Sequence, residues 1–306
     1  MSEFRLITAL NRVLAQASPE VIVGIGDDAA VLREGSGSIV WTIDAQVEGV
    51  HFRREWLSWA DVGYRSMMAA ASDLAAMGAM PTGALSALTV SDDVSEAMIL
   101  EVSEGQREAA GLLGCPVIGG NVSRGGTFSV TMTVLGRAAK PLLRSNARPG
   151  DLVQVAGRLG DAALGLTHLM GGSRAGAGIA AWRRPHAQIE AGLRAHASAT
   201  AAIDVSDGLG QDVEHLARAS GVRVVLVEAQ LLKCAPRLDP SDALALALWG
   251  GEDYALVVSA PSSIEGFEVI GTVTEGNGVL VKHVDGCEVE AASLGRGYDH
   301  GLRERA

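Results

Sequence analysis

Six short polar motifs sit at the edges of apolar runs between residues 24 and 253: Gly24-Ile25-Gly26-Asp27-Asp28, Thr42-Ile43-Asp44, Ser72-Asp73-Leu74, Gly119-Gly120-Asn121, Asp204-Val205-Ser206-Asp207-Gly208 and Gly250-Gly251-Glu252-Asp253. An unpaired buried carboxylate costs on the order of several kcal/mol, so these segments must meet solvent, donors or cations while the apolar runs between them form core. Carboxylates beside Gly, Ser and Thr are hard oxygen ligands with room for a phosphate, which is what magnesium-dependent nucleotide chemistry requires.

The intervening chain supplies ample core, with 48% of 306 residues hydrophobic. Single cores rarely grow past roughly 250–300 residues, so two domains are expected. A net charge of −11, with lysine only at Lys140, Lys233 and Lys282, opposes nucleic-acid binding, which needs clustered Lys and Arg. Cys115, Cys234 and Cys287 are widely spaced and odd in number, supporting neither a disulfide framework nor a zinc site, and a cytoplasmic setting is expected. No run approaches the roughly 18 apolar residues that span a bilayer, so no membrane embedding is expected.

Periodicity predicts a helix over 4–14, an apolar stretch over 21–25, a strand over 39–43 ending on Asp44, helices over 61–77 and 95–113, and a strand over 128–135. Between residues 136 and 151 the chain turns to Arg, Lys, Pro, Ser and Asn, the expected linker between a domain of 1–138 and one of 149–306. The second half predicts strands over 152–156, into Asp204, and over 222–227, 254–258, 269–273 and 279–284. Its helices are expected over 161–170, 185–197, 211–219 and 242–249. Strands mixed with helices without strict alternation indicate an α+β (mixed α/β) fold. Residues 171–178, rich in glycine, read as a mobile surface loop.

Gly24-Ile-Gly-Asp-Asp-Ala29 fits a dinucleotide fingerprint by spacing, but Glu34-Gly-Ser-Gly-Ser38 breaks the helix that fingerprint needs. It reads as a metal-binding turn or an Asp-rich surface turn. A P-loop is excluded because no Gly-Lys pair occurs. Asp73 shares a helix face with Val62, Ser66, Ala69 and Met77, which leaves a metal ligand and a solvated helix face both open. Asp204 and Ser206 alternate on one strand face with Asp207 at the following turn, a phosphate and metal position or a helix cap. Gly250-Gly251 ends a helix and leaves Glu252 at the mouth of a strand, positioned to face a substrate. No Ser-His-Asp order or activated cysteine is legible.

Taken in order, Glu3-Phe-Arg-Leu-Ile7, Gly24-Ile-Gly-Asp-Asp-Ala29, Asp44 followed by Gly49-Val-His51-Phe52, Ser72-Asp-Leu-Ala-Ala-Met-Gly-Ala79, Ile118-Gly-Gly-Asn-Val-Ser-Arg124, Arg144-Ser145 with Pro149-Gly-Asp151, Asp204-Val-Ser-Asp-Gly-Leu209, Gly250-Gly-Glu-Asp-Tyr254 and Gly297-Tyr-Asp-His300 closely resemble the thiamine-monophosphate kinase family. That family lies within the superfamily of aminoimidazole ribonucleotide synthetase. The resemblance implies a two-domain fold whose N-terminal domains pair in a homodimer, with ATP and several Mg²⁺ ions in a cleft shared across it. It implies phosphorylation of thiamine monophosphate to thiamine diphosphate, the last step of that biosynthesis. Carried over by position, Asp28, Thr42, Asp44, Asp73, Asn121, Asp204 and Asp207 would bind metal. Gly120, Asn121, Arg144 and Ser206 would meet the nucleotide, and His51, Glu252 and Tyr298 the thiamine moiety. The chain departs from the family where Asn121 replaces the usual Asp, where Ile43 replaces a hydroxyl residue and where Gly301 replaces an aromatic one.

With a phosphate acceptor already ionised near neutral pH, no catalytic base is expected, and catalysis would rest on positioning and electrostatics. The alternatives are another ATP-using enzyme of the superfamily and a non-catalytic nucleotide-binding paralogue, the latter motivated by Asn121. The chain ends Arg-Glu-Arg-Ala306 and its first cysteine is Cys115. It thus lacks the terminal cysteine of hydrogenase-maturation relatives and the early cysteine of selenophosphate-forming ones.

Overall fold

The computed structural model describes residues 3–14, 16, 18–23 and 31–298. The turn bearing Asp27 and Asp28, together with Gly301, lies outside the described residues. The chain divides into two compact units, one of residues 1–141 and 183–193 and one of residues 142–182 and 194–306.

In the first unit, α1 (Glu3–Leu14), β1 (Val21–Val23) and β2 (Val31–Leu32) precede β3 (Ser38–Val47), α2 (Trp59–Ala76), β4 (Met80–Val90), α3 (Glu96–Leu113), β5 (Val117–Arg124) and β6 (Ser129–Ala138). The main sheet runs β3-β6-β4-β5. β4 and β5 are parallel, joined by a crossover through α3, and the other pairs are antiparallel. α2 starts two residues before the expected 61, because Ser58 Oγ accepts from Asp61 N–H and the Asp61 carboxylate accepts from Ser58 N–H, a reciprocal cap. α3 ends at Gly114, whose φ of 61° suits a left-handed cap.

Alternation along the strands assigns the two faces of this sheet. Val40, Gln46, Val130, Met132 and Val134 are buried, and α2 and α3 cover that side with Met67, Met68, Leu74 and Val102. On the other face Ile39, Trp41 and Ile43 are 59, 68 and 69% exposed. The strand expected to end at Asp44 instead continues to Val47, because its ladder with β6 is unbroken from Ser38 to Val47. β4 and β5 were not expected: Pro81, Gly83, Gly119 and Gly120 suppress the strand signal. Arg184 belongs to this unit too, its guanidinium bonded to Asp61 and Glu108 at 2.8 Å and stacked 4.6 Å from the Tyr64 ring.

The chain continues with β7 (Leu152–Ala156), α4 (Asp161–Met170), α5 (Ile179–Arg183), α6 (Ile189–Ala195), β8 (Ala201–Val205), α7 (Leu209–Ser220), β9 (Arg223–Val227), α8 (Glu228–Cys234), α9 (Pro240–Trp249), β10 (Ala255–Ala260), β11 (Glu268–Thr274), β12 (Gly278–Lys282) and β13 (Glu288–Glu290), whose strands all belong to the second unit. α5 and α6 cross the boundary between the two residue sets. The sheet order is β13-β12-β9-β11-β7-β10-β8, antiparallel except for β9 with β12. A single core of Val153, Ile203, Leu209, Leu216, Leu226, Leu248 and Val257 joins this sheet to α7, α8 and α9. Cys115, Cys234 and Cys287 are free. Among the described residues no helix is long and apolar enough to cross a membrane.

Two glycines set the α2–α3 crossing. A Cβ on Gly63 would lie 1.8 Å from Val102 O, and one on Gly105 would lie 1.8 Å from Ala60 O. Backbone oxygens cannot rotate away as a side chain can, so Gly105→Ala is expected to destabilise by about 1–3 kcal/mol or more through forced separation of the helices. Denaturant unfolding measures it; an unchanged midpoint would contradict the close crossing.

Candidate active site

In the second unit, several polar residues meet at the loop between β8 and α7. β8 ends at Val205, so Ser206 leaves the strand and does not share its face with Asp204 as expected. Asp204 is 6% exposed and pairs in register with Leu256 of β10. α7 has no side-chain cap at Gly208. Instead Asp212, one turn inside the helix, reaches back: its Oδ2 accepts the N–H groups of Ser206, Asp207 and Gly208 at 3.0, 3.1 and 3.2 Å. Burial, then the charges of Asp204 and Asp207, push the Asp212 carboxyl up to about 7 against the pull of those N–H donors. The Asp204 and Asp207 carboxylates therefore both sit within electrostatic reach of Asp212.

Other candidate residues are stitched to the same loop. Glu252 N–H donates to Ser206 O at 2.7 Å and Tyr254 N–H to Val205 O at 2.8 Å. Gly250 and Gly251 permit this approach: a Cβ would meet Ala163 Cβ at 2.6 Å in the first case and Ser206 O at 2.6 Å in the second. Tyr298 N–H donates to Asp207 O at 3.0 Å, while Gln211 Nε2 bridges Asp207 Oδ2 and Tyr298 O at 3.3 and 2.8 Å. Arg144 accepts from Ser220 Oγ through its carbonyl. Its charge helps Arg218 and burial hold His215 below the ordinary imidazole range, while Asp207 opposes them. Thus Asp204, Ser206, Asp207, Glu252 and Tyr298 gather around one loop, with Arg144 along α7.

Asp253, beside Glu252, serves a different end. Its carboxylate accepts from Gly160 N–H at 2.6 Å and Ala162 N–H at 3.2 Å, capping α4. Burial raises its carboxyl to about 7 despite those two donors. Trp182 Nε1–H donates to Glu252 Oε2 at 2.5 Å.

In the first unit, Thr42 and Asp44 project from β3 toward α2, where Thr42 Oγ1 donates to Asp73 Oδ2. Asp44 Oδ1 accepts from Ala45 N–H at 2.6 Å. His51, in the turn after β3, accepts from Val47 N–H through Nδ1 at 3.0 Å, so its neutral form carries the proton on Nε2. Gly120 and Asn121 are exposed on β5 at the other edge. The register row Asp44–Met132–Ser86–Gly120 spans three interstrand gaps, roughly 14 Å. Asn121 shares its row with Ala87, Thr131 and Ala45, the pleat opposite to Asp44. The unit therefore brings Thr42 and Asp73 together, places Asp44 on the same strand face as Thr42, and leaves Gly120 and Asn121 at the far edge of the sheet. Asp28 lies outside the described residues.

Among the described residues no three His, Cys, Asp or Glu side chains form a group that could hold a metal ion. The donor chemistry nonetheless suits Mg²⁺: carboxylates and a hydroxyl, all hard oxygens, arranged in two partial sets that need phosphate or water oxygens to complete a shell. Sequence reasoning missed Asp212, Gln211 and Trp182. An acidic residue in the first turn of a helix is ordinary dipole chemistry, and nothing in the spacing of Trp182 signals its carboxylate partner.

Residues 26–138 match the family model of the AIR synthase related protein N-terminal domain. A thiamine-monophosphate kinase of Aquifex aeolicus is 32% identical over 98% of this chain and 98% of its own length. The crystal structure of thiamine-monophosphate kinase from Stenotrophomonas maltophilia superposes with a TM-score of 0.81 at 32% identity, covering 94% of this chain and 97% of that one. A structure described as AaThiL complexed with AMPPCP and TMP gives 0.78 at 31% identity, covering 98% and 97%. The mixed α/β fold is thus that of the AIR synthase-like enzymes.

Asp212 yields a direct test. Asp212→Ala removes the acceptor of three N–H groups and is expected to destabilise the protein by about 1–3 kcal/mol for each group left dry. Asp212→Asn keeps a carbonyl oxygen available and should cost less. Denaturant unfolding of the two variants checks the order; equal stability to the parent in both would remove Asp212 from this role.

Proposed function

The chain belongs to the thiamine-monophosphate kinase family, and we propose that it transfers the γ-phosphoryl group of ATP directly and in line to the phosphate of thiamine monophosphate, giving ADP and thiamine diphosphate. The observation that carries this reading is full-length similarity to enzymes of that name, joined to the loop where Asp204, Ser206 and Asp207 meet Glu252 and Tyr298. A relative in complex with AMPPCP and TMP, an ATP analogue and a phosphate acceptor, supports it.

Asp204 and Asp207, and in the first unit Asp44 and Asp73 with Thr42, would hold Mg²⁺, along with Asp28. When bound, Mg²⁺ neutralises the phosphate oxygens that otherwise repel each other. The protein's own part is placement. Asp212 keeps the backbone of residues 206–208 rigid beside the entrance of α7, whose N-terminus favours phosphate. Ser206 offers a hydroxyl there and Arg144 a guanidinium that can take a phosphate bidentately. Glu252, His51 and Tyr298 would meet the thiamine moiety. No side chain is assigned as a general base, because the acceptor phosphate has already lost its proton near neutral pH.

We also assign a homodimer. Ile39, Trp41 and Ile43 leave an apolar stripe on the open sheet face, the kind of patch that a second copy covers. Gly120 and Asn121 lie on the strand farthest from Asp44, so their part in the nucleotide site belongs to the paired form.

Incubation with ATP, Mg²⁺ and thiamine monophosphate is expected to produce thiamine diphosphate, and chelation of Mg²⁺ to stop it; nucleotide binding without turnover would favour a non-catalytic paralogue. Asp207→Asn should lower kcat about a hundredfold, the scale of losing one preorganised electrostatic partner, with the unfolding midpoint kept. Near-normal turnover would remove Asp207 from the metal set. Ile43→Lys should shift the sedimentation coefficient toward a monomer; an unchanged dimer would place the interface elsewhere.

A further inference from the structure

The aromatic residue nearest the candidate substrate carboxylate belongs to no recognised motif. Trp182 is completely buried, and its side chain carries one polar group, a donor. A buried indole can satisfy that N–H on any backbone carbonyl. Here it goes to the carboxylate of Glu252, at 2.5 Å, and a hydrogen bond to an ionised acceptor is roughly twice as strong as a neutral one.

Further contacts within the same unit hold Glu252 and Trp182 in place. The Glu252 N–H is held by Ser206 O at 2.7 Å, in a backbone conformation with φ of 66°. Asp253 holds the first N–H groups of α4. α4 meets the start of α5 without side chains between them: a Cβ on Gly165 would lie 2.2 Å from Gly178 O, and one on Gly178 would lie 2.1 Å from Asp161 O. Gly178 O accepts the Trp182 N–H at 2.9 Å. The path from Asp253 through α4 and α5 returns through the indole to Glu252, so adjacent acidic residues anchor both ends of one closed circuit. Such a circuit fixes the direction of a carboxylate before any ligand arrives, which lowers the ordering cost of binding.

We propose that Trp182 is a positioning residue for thiamine monophosphate, its indole N–H holding the Glu252 carboxylate in the orientation that receives the amino and cationic groups of the thiamine moiety. The proposal rests on the assignment of Glu252 to that moiety. It distinguishes Trp182 from a core residue: packing alone would affect stability and both substrates, whereas positioning acts on one substrate through one carboxylate.

A double-mutant cycle separates these cases. In the full-length protein, Trp182→Phe is expected to raise the KM for thiamine monophosphate about tenfold, the scale of one charge-assisted hydrogen bond, with the KM for ATP unchanged. Glu252→Gln should raise the same KM at least as far, and Trp182→Phe should add little on the Glu252→Gln background. A Trp182→Phe effect that persists in full on that background, or that raises both KM values together, would overturn the proposal while leaving Glu252 as a substrate residue. A Glu252→Gln variant with the parent's KM would instead overturn the Glu252 assignment. Site-specific replacement of Trp182 by β-(3-benzothienyl)alanine, which exchanges N–H for sulfur at nearly constant shape, provides the same comparison if Trp182→Phe does not fold.

Discussion

One carboxylate oxygen, Oδ2 of Asp212, accepts three consecutive backbone N–H groups, and the candidate site of the second unit is built on the loop it holds. The requirement is electrostatic. Carboxylates gathered at one loop repel one another, and the raised carboxyl of Asp212 records burial first and the charges of Asp204 and Asp207 second. Ordinary side-chain caps would spend Ser206 or Asp207 on the helix. Capping from inside, by a residue one turn on, leaves their side chains for other partners while the backbone stays fixed. Glu252, Tyr254 and Tyr298 then attach to that backbone through their own N–H groups, so the site inherits its geometry from main chain and not from long flexible side chains.

The first unit meets the same requirement by different means. Asp73 stands on a helix face of small residues, and its partner is the hydroxyl of Thr42 on the strand beneath. That face is small because α2 lies tight against both the sheet and α3, with Gly63 and Gly105 at the crossing. A larger residue at either position would force α2 and α3 apart. The glycines in α2 and α3 therefore set the seat of the helix that carries Asp73.

Helices with conventional caps were legible in the sequence: Ser58 and Ser95 mark α2 and α3 to within a residue or two. The sheet was only partly so. β4 and β5 escaped because Pro81, Gly83 and Gly119-Gly120 dilute β-branched content, and because a parallel strand buried by a crossover helix need not alternate. β3 was read too short since Asp44 looks like a terminator when its neighbour strand is unknown; its partner Met132 keeps the ladder intact. At the site, the motifs located the polar residues but not their supports. Asp212 resembles any acidic residue in a first helical turn, and Trp182 lies 70 residues from the carboxylate it holds. Local spacing carries information about which residues are polar and exposed to a turn. It carries none about a partner brought close by the sheet.

Backbone strain shows where this support is concentrated. Among the described residues, positive φ outside glycine occurs at Asn146, Glu252 and Tyr254, two of the three flanking Asp253. Such conformations cost on the order of 1–3 kcal/mol each and persist where surrounding bonds over-determine them. Here the over-determination is visible: the N–H groups of Glu252 and Tyr254 bond to successive carbonyls of the Asp204 loop, Asp253 caps α4, and Glu252 receives the indole of Trp182. Relaxing either residue to an extended conformation would break the bond to Ser206 or Val205 and turn Asp253 away from α4. The strain is thus tied to the alternating directions of three successive side chains, with Glu252 and Tyr254 directed by backbone bonds and Asp253 committed to the helix between them.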